Sequence, residues 1–211
     1  MRKKYNNLLS IIIPNKKINI FVLSIIIIGV TLGAIFSNII DINNQNLVIE
    51  KINSFINNIN NGSINSLLIF KNALGINLLY TILIWLLGMS LIGIIIVFII
   101  LFFKSFVLGF TLSSFIITYK YKGIILSILH LLFGELLNII ALLLLTIYSI
   151  NFTIKLLKQI FKTNINNNEL KHFLKHYFII LIIVLIINIT SSLTEAFILP
   201  SLIKLIIGLY T

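Results

Sequence analysis

The chain has no cysteine, and among its 211 residues there are only two prolines, one tryptophan and five acidic residues. Without cysteine there is no disulfide to staple a small fold and no thiolate metal site. No paired carboxylates stand at a plausible outer cleft, and no Ser/His/Asp arrangement is visible. Neither a phosphate-binding nor a dinucleotide-binding glycine pattern occurs. The sequence therefore offers no catalytic constellation, reads as a non-enzyme, and calls for no cofactor or metal. Glu169, His172 and His176 share a helical face, but Lys171 and Lys175 among them would repel a cation, so they read as a solvated helix start. The net charge of +11 would suit nucleic acid. The basic residues are instead scattered at the edges of apolar runs, with no patch interleaved with aromatics. That pattern fits anionic membrane lipid and not nucleic acid.

Polar stretches long enough for a soluble domain are missing as well. The longest segment between apolar runs is 41–76, about 36 residues, and pieces below ~40 residues rarely build a core of their own. What fills the chain is hydrocarbon: 59% of residues are apolar, 10% are charged, and the mean hydropathy is +1.14. Residues 77–118 hold a single charge, Lys104. A bilayer core of ~30 Å takes ~20 apolar residues of helix, so this run holds two crossings, with the bend expected at Lys104 or a few residues before it. The fold class that follows is an all-α polytopic membrane protein. It should have about five transmembrane helices and an extracytoplasmic helical hairpin between the first two.

In order, the segments are a basic N-terminus over 1–17 and crossings over 18–40, 77–103, 105–119, 123–150 and 177–199. The outer loop is 41–76, a basic cytoplasmic loop is 151–176, and the outer tail is 200–211. Leu8, Leu9 and 11–13 suit a short interfacial helix ended at Pro14, and Pro200 is expected to end the last crossing. The apolar run after Lys17 is too long for a cleaved signal, so it reads as a retained first helix. Five crossings put eleven basic residues inside, Lys104 among them, and five outside. The positive-inside rule then predicts a cytoplasmic N-terminus and an extracytoplasmic C-terminus.

Within 41–76, Val48, Ile52, Phe55 and Ile59 repeat at helical spacing, with Glu50, Lys51, Asn53 and Asn57 between them. Such a stripe rests on lipid or docks a partner. Asn61 and Gly62 mark a turn, after which Ser63 is expected to cap a second helix. Gly29 and Gly33 allow close helix packing, within this chain rather than between copies. Asn38 lies at the end of the first crossing. Polar residues inside spans are costly, so each is a site candidate: Lys104, Glu135 with Asn138 at i, i+3, and a stripe of Asn188, Ser191, Ser192 and Glu195. His130 should fall on a different side. A polar seam holding the helices in register is one reading, and a meeting point for a partner's membrane anchor is another. A third is a small transporter or permease-like subunit using Glu135 and Glu195.

Four stretches recur in order: GVTLGAIFSN (29–38), WLLGMSLIG (85–93), FKSFVLGFT (103–111) and TEAFILP (194–200). With the length, the five spans and the long first outer loop, they make the chain resemble the stage II sporulation protein M family of endospore-forming bacteria. The resemblance covers nearly the whole chain. It implies a non-enzymatic scaffold of the septal or engulfing membrane. Its implied partners are membrane-anchored sporulation peptidoglycan hydrolases, one an amidase and endopeptidase, the other a lytic transglycosylase. On that footing Val48, Ile52, Phe55, Ile59 and Glu195 are the expected partner-binding residues.

Overall fold

The computed structural model describes residues 16–161 and 167–208. The interfacial helix expected within 1–17, Lys162, most of the TNINNN linker and Thr211 lie outside the described residues, as do the side chains of Glu169 and His172.

Five of the described helices are long and apolar enough to cross a bilayer, and no strand occurs among the described residues. Helix α1 is Lys16–Ile39, α2 is Ile42–Asn60, α3 is Ser66–Leu87 and α4 is Gly93–Tyr119. Helix α5, Tyr121–Leu129, runs through a π turn, His130–Glu135, into α6, Leu136–Phe161. Likewise α7, Asn167–Leu193, runs through a second π turn, Thr194–Ile198, into α8, Leu199–Gly208. The chain is therefore an all-α multi-pass membrane protein. One end of the bundle carries α2; the opposite end carries the turn between α3 and α4.

Helix α1 lies along α4 because glycine lets the two backbones touch. A Cβ on Gly33 would run into the Phe106 carbonyl, and one on Gly109 into the Val30 carbonyl. The Gly29/Gly33 pair thus packs inside the chain, as its spacing suggested. Asn38 Nδ2 donates to Ser113 Oγ across the same interface, at 3.2 Å. The main core joins Val22 and Ile26 of α1 to Ile84, Val97, Leu101, Leu142, Leu145 and Val184.

Three expectations about segments are corrected. The bend is not at Lys104 but at residues 88–92, between α3 and α4, so the second and third crossings are Ser66–Leu87 and Gly93–Tyr119. Turn chemistry fixes that place. Ser90 Oγ accepts from the Gly93 N–H at 2.8 Å, capping α4, and Gly88 packs where a Cβ would meet Ser149 and the Tyr177 hydroxyl. The third crossing is then 27 residues long, with Lys104 inside it. Second, 41–76 is not a hairpin of two surface helices: α2 is one, and the other is the first turns of α3. Gly62 does sit at φ +66°, as a turn requires, but Asn65 rather than Ser63 is the cap, its side chain accepting from the Leu68 N–H at 3.1 Å. Third, Pro200 does not end the last crossing. It lies in the first turn of α8, where its missing N–H removes one helical bond next to a π turn that has already broken the i→i−4 ladder.

Candidate functional site

The polar groups of the spans gather near the middle of the bundle. Lys104 of α4 is 9% exposed, and its Nζ lies 3.0 Å from Glu135 Oε1. The ammonium also sits 5.6 Å from the centre of the Tyr80 ring, a cation–π contact from α3. Asn138 Nδ2 donates to Glu135 Oε2 at 3.1 Å, so both carboxylate oxygens of Glu135 are engaged. The same amide nitrogen donates to Asn77 Oδ1 at 2.7 Å, and Asn77 Nδ2 donates to Ser192 Oγ at 3.2 Å. One turn further along, Asn188 Nδ2 donates to Thr81 Oγ1 at 2.6 Å. Helices α3, α4, α6 and α7 are thus tied through one connected set of side chains and one parallel rung.

The two π turns face each other across this set, and they explain its geometry. A π turn leaves backbone carbonyls without their i+4 donors. Thr194 Oγ1 donates to the Phe133 carbonyl at 2.7 Å, and Ser191 Oγ reaches the Gly134 carbonyl at 3.3 Å. The hydroxyls of one helix thereby bond backbone carbonyls in the π turn of the other. His130 opens the first π turn, its ring 5.7 Å from that of Phe115. Glu195, on the second π turn, interacts electrostatically with Glu135 and with Lys104. It makes no hydrogen bond or ion pair with any described residue.

Apolar layers close this centre at both ends. Toward α2, Phe115, Leu126, Leu199 and Ile203 pack with Ile56 and Ile59. Toward the α3–α4 turn, Ile84, Leu142, Leu145 and Val184 are all at most 1% exposed. Beyond that second layer comes another polar group. The Tyr177 hydroxyl is 2.7 Å from Ser149 Oγ and donates to the Trp85 carbonyl at 2.9 Å, while Thr153 Oγ1 donates to the Gly88 carbonyl at 2.7 Å. The Tyr177 ring stacks on Phe152 at 4.8 Å and on Trp85 at 5.9 Å. This knot pins the α3–α4 turn.

Of the expected partner-binding stripe, Ile59 is 3% exposed and belongs to the apolar layer under α2. Ile52 and Phe55 pack against the same layer, and Val48 is half-buried. Asn53, also on α2, accepts from the Tyr119 hydroxyl at 2.8 Å. Much of that face therefore seals the bundle's own end. Sequence reasoning missed Asn77, Thr81, Thr194 and Tyr177. A polar residue every fourth position on an apolar helix was the signal available for Asn77 and Thr81. Among the described residues no group of three or more metal-ligating side chains comes together.

A family profile described as stage II sporulation protein M matches residues 20–200 of the chain. No curated protein and no solved structure matches it.

Proposed function

Because the chain belongs to the stage II sporulation protein M family, a sporulation-related membrane family, we propose that it is a non-enzymatic scaffold. In this reading it gathers membrane-anchored peptidoglycan hydrolases, an amidase/endopeptidase and a lytic transglycosylase, at the septal membrane during engulfment. The observation that carries the reading is the closed polar centre. Lys104 and Glu135 neutralise each other, and Asn77, Asn138 and Ser192 bind the helices around them. An apolar layer at either end separates the centre from both aqueous faces. Such a body holds its shape, which is what assembling other membrane proteins demands. The same layers count against the transporter alternative, which would need a path from Glu135 and Glu195 to water.

The orientation we propose has the N-terminus in the cytoplasm and the C-terminus and α2 outside. With Lys104 buried, ten of the sixteen basic residues fall on the side of the N-terminus and five on the side of α2, so the positive-inside asymmetry persists. Wall hydrolases act outside, on the face that α2 then covers. The test joins both parts. In sporulating cells the tagged chain should co-purify with wall hydrolases, while the purified protein cleaves neither wall glycan nor wall peptide. In intact cells an impermeant thiol reagent should label Asn61→Cys and spare Lys158→Cys. An ion or solute flux in proteoliposomes that Glu135→Gln and Glu195→Gln both abolish would overturn the scaffold. Labelling at 158 but not 61 would overturn the orientation.

A further inference from the structure

The central site holds one cation and two carboxylates within reach of each other, and only one carboxylate is paired. Lys104 is committed to Glu135 at 3.0 Å, and Glu135's other oxygen is taken by Asn138. Glu195 receives no hydrogen bond from a described residue, and its side chain is only half-buried. A second acceptor is in the same condition: Asn138 is 1% exposed, and its Oδ1 has no donor. The centre lacks a donor-bearing cation rather than another acceptor.

Where that cation could come from is restricted by packing. The layer around Ile59, Phe115 and Leu199 bars one aqueous face, and the layer around Ile84, Leu142 and Val184 bars the other. The side toward the lipid is open. Along its helix Glu195 stands at the border between the inner stripe of Ser191, Ser192 and Ala196, all buried, and the outward Phe197 and Ile198, 50% and 41% exposed. Its π turn is bonded to that of Glu135, the partner of Lys104, and Lys104 stands eleven residues into the 27-residue crossing Gly93–Tyr119, near its middle.

We propose that Glu195 is the docking point for a transmembrane helix of a partner that carries a lysine or arginine at mid-bilayer depth. This rests on the scaffold reading only in supposing a membrane-anchored partner. The basic side chain enters laterally, pairs with the Glu195 carboxylate, and brings the site to two cations and two carboxylates. An apolar helix gains nothing there beyond packing, and an acidic one is repelled.

The test uses the full chain in lipid bilayers with a single-span Leu/Ala helix as probe. The probe carries Lys, Leu or Glu at its centre, and capture is read by cysteine cross-linking, which the cysteine-free chain permits. The Lys probe should be captured about tenfold more than the Leu probe, and capture should fall when its lysine is moved two turns toward either end. Glu195→Gln should bring the Lys probe down to the Leu level, while Glu195→Asp keeps most of the preference. If Glu195→Gln does not accumulate, the depth scan on the unmodified chain decides alone. Equal capture of Lys and Leu probes, or a Lys preference that survives Glu195→Gln, overturns the proposal. Hydrolases that co-purify equally with the Glu195→Gln chain would sink this docking point and leave the scaffold standing. Loss of co-purification with the unmodified chain, alongside intact Lys-probe capture, would do the reverse.

Discussion

Removing either member of the Lys104–Glu135 pair should damage the protein far more than removing both. The two side chains are 11% and 16% exposed, so neither charge is held by bulk water. Truncating one partner leaves the other uncompensated. In buried pairs this costs ~3–5 kcal/mol, and a lone charge at the centre of a span costs at least ~2.5 kcal/mol on insertion scales. Lys104→Met should therefore destabilise by about 3 kcal/mol, and Glu135→Leu by about as much. Replacing both with apolar residues removes the two desolvation penalties together with the attraction, so Lys104→Met/Glu135→Leu should fall within about 1 kcal/mol of the unmodified chain. The singles then sum to about 6 kcal/mol, so the non-additivity is itself about 5 kcal/mol, several times the ~0.6 kcal/mol typical of a neutral interhelical hydrogen bond. The assay is a double-mutant cycle on unfolding free energy in mixed micelles, with membrane abundance as the cellular counterpart. Two results would refute the reasoning: Lys104→Met tolerated within about 0.5 kcal/mol, or a double variant as damaged as the sum of the singles.

The hydroxyl of Thr194 donates across the bundle to the Phe133 carbonyl in the facing π turn, whereas that of exposed Thr190 bonds only within its own helix. Thr194→Val should therefore cost about 1–2 kcal/mol by breaking that bond, and Thr190→Val close to nothing; equal costs in the same unfolding assay would show that the bond is idle. Lys120, which joins α4 to α5, sits at φ +49° and ψ −118°, a region that glycine enters readily and other residues enter under strain. Lys120→Gly should stabilise the chain by about 1 kcal/mol, and a measured loss of stability would mean that a side-chain contact outweighs the strain.

Hydropathy alone made the five apolar helices legible, because ~20 residues of hydrocarbon have no other use in so polar-poor a chain. The Gly29/Gly33 spacing made the α1 packing face legible too. The place of the second turn was not. Between residues 77 and 118 hydropathy is uniform, and the only charge was taken to mark the water boundary. That inference fails whenever a charge has a partner in the bilayer, and Lys104's partner lies 31 residues away, beyond any local pattern. The true turn carries no Pro or Asn; its cues were the glycines at 88 and 93 and the cap at Ser90. Asn77 was read as a boundary for the same reason and proves to be 3% exposed. The two π turns were not foreseen either, because a π turn leaves no compositional mark in HLLFGE.

These errors share a cause that bears on the site. A polar residue at a span's edge and one at its centre look alike in sequence, and what separates them is a partner on another helix. Asn77, Lys104, Glu135, Asn138 and Ser192 each have one. Of the two carboxylates among the described mid-span residues, Glu195 is the one for which the chain supplies no hydrogen-bonding group. A carboxylate kept at the lipid-facing border of a centre already neutralised by Lys104 gains only when something positive arrives from outside the chain. The same logic that assigns Lys104 to the interior therefore assigns Glu195 to an interface.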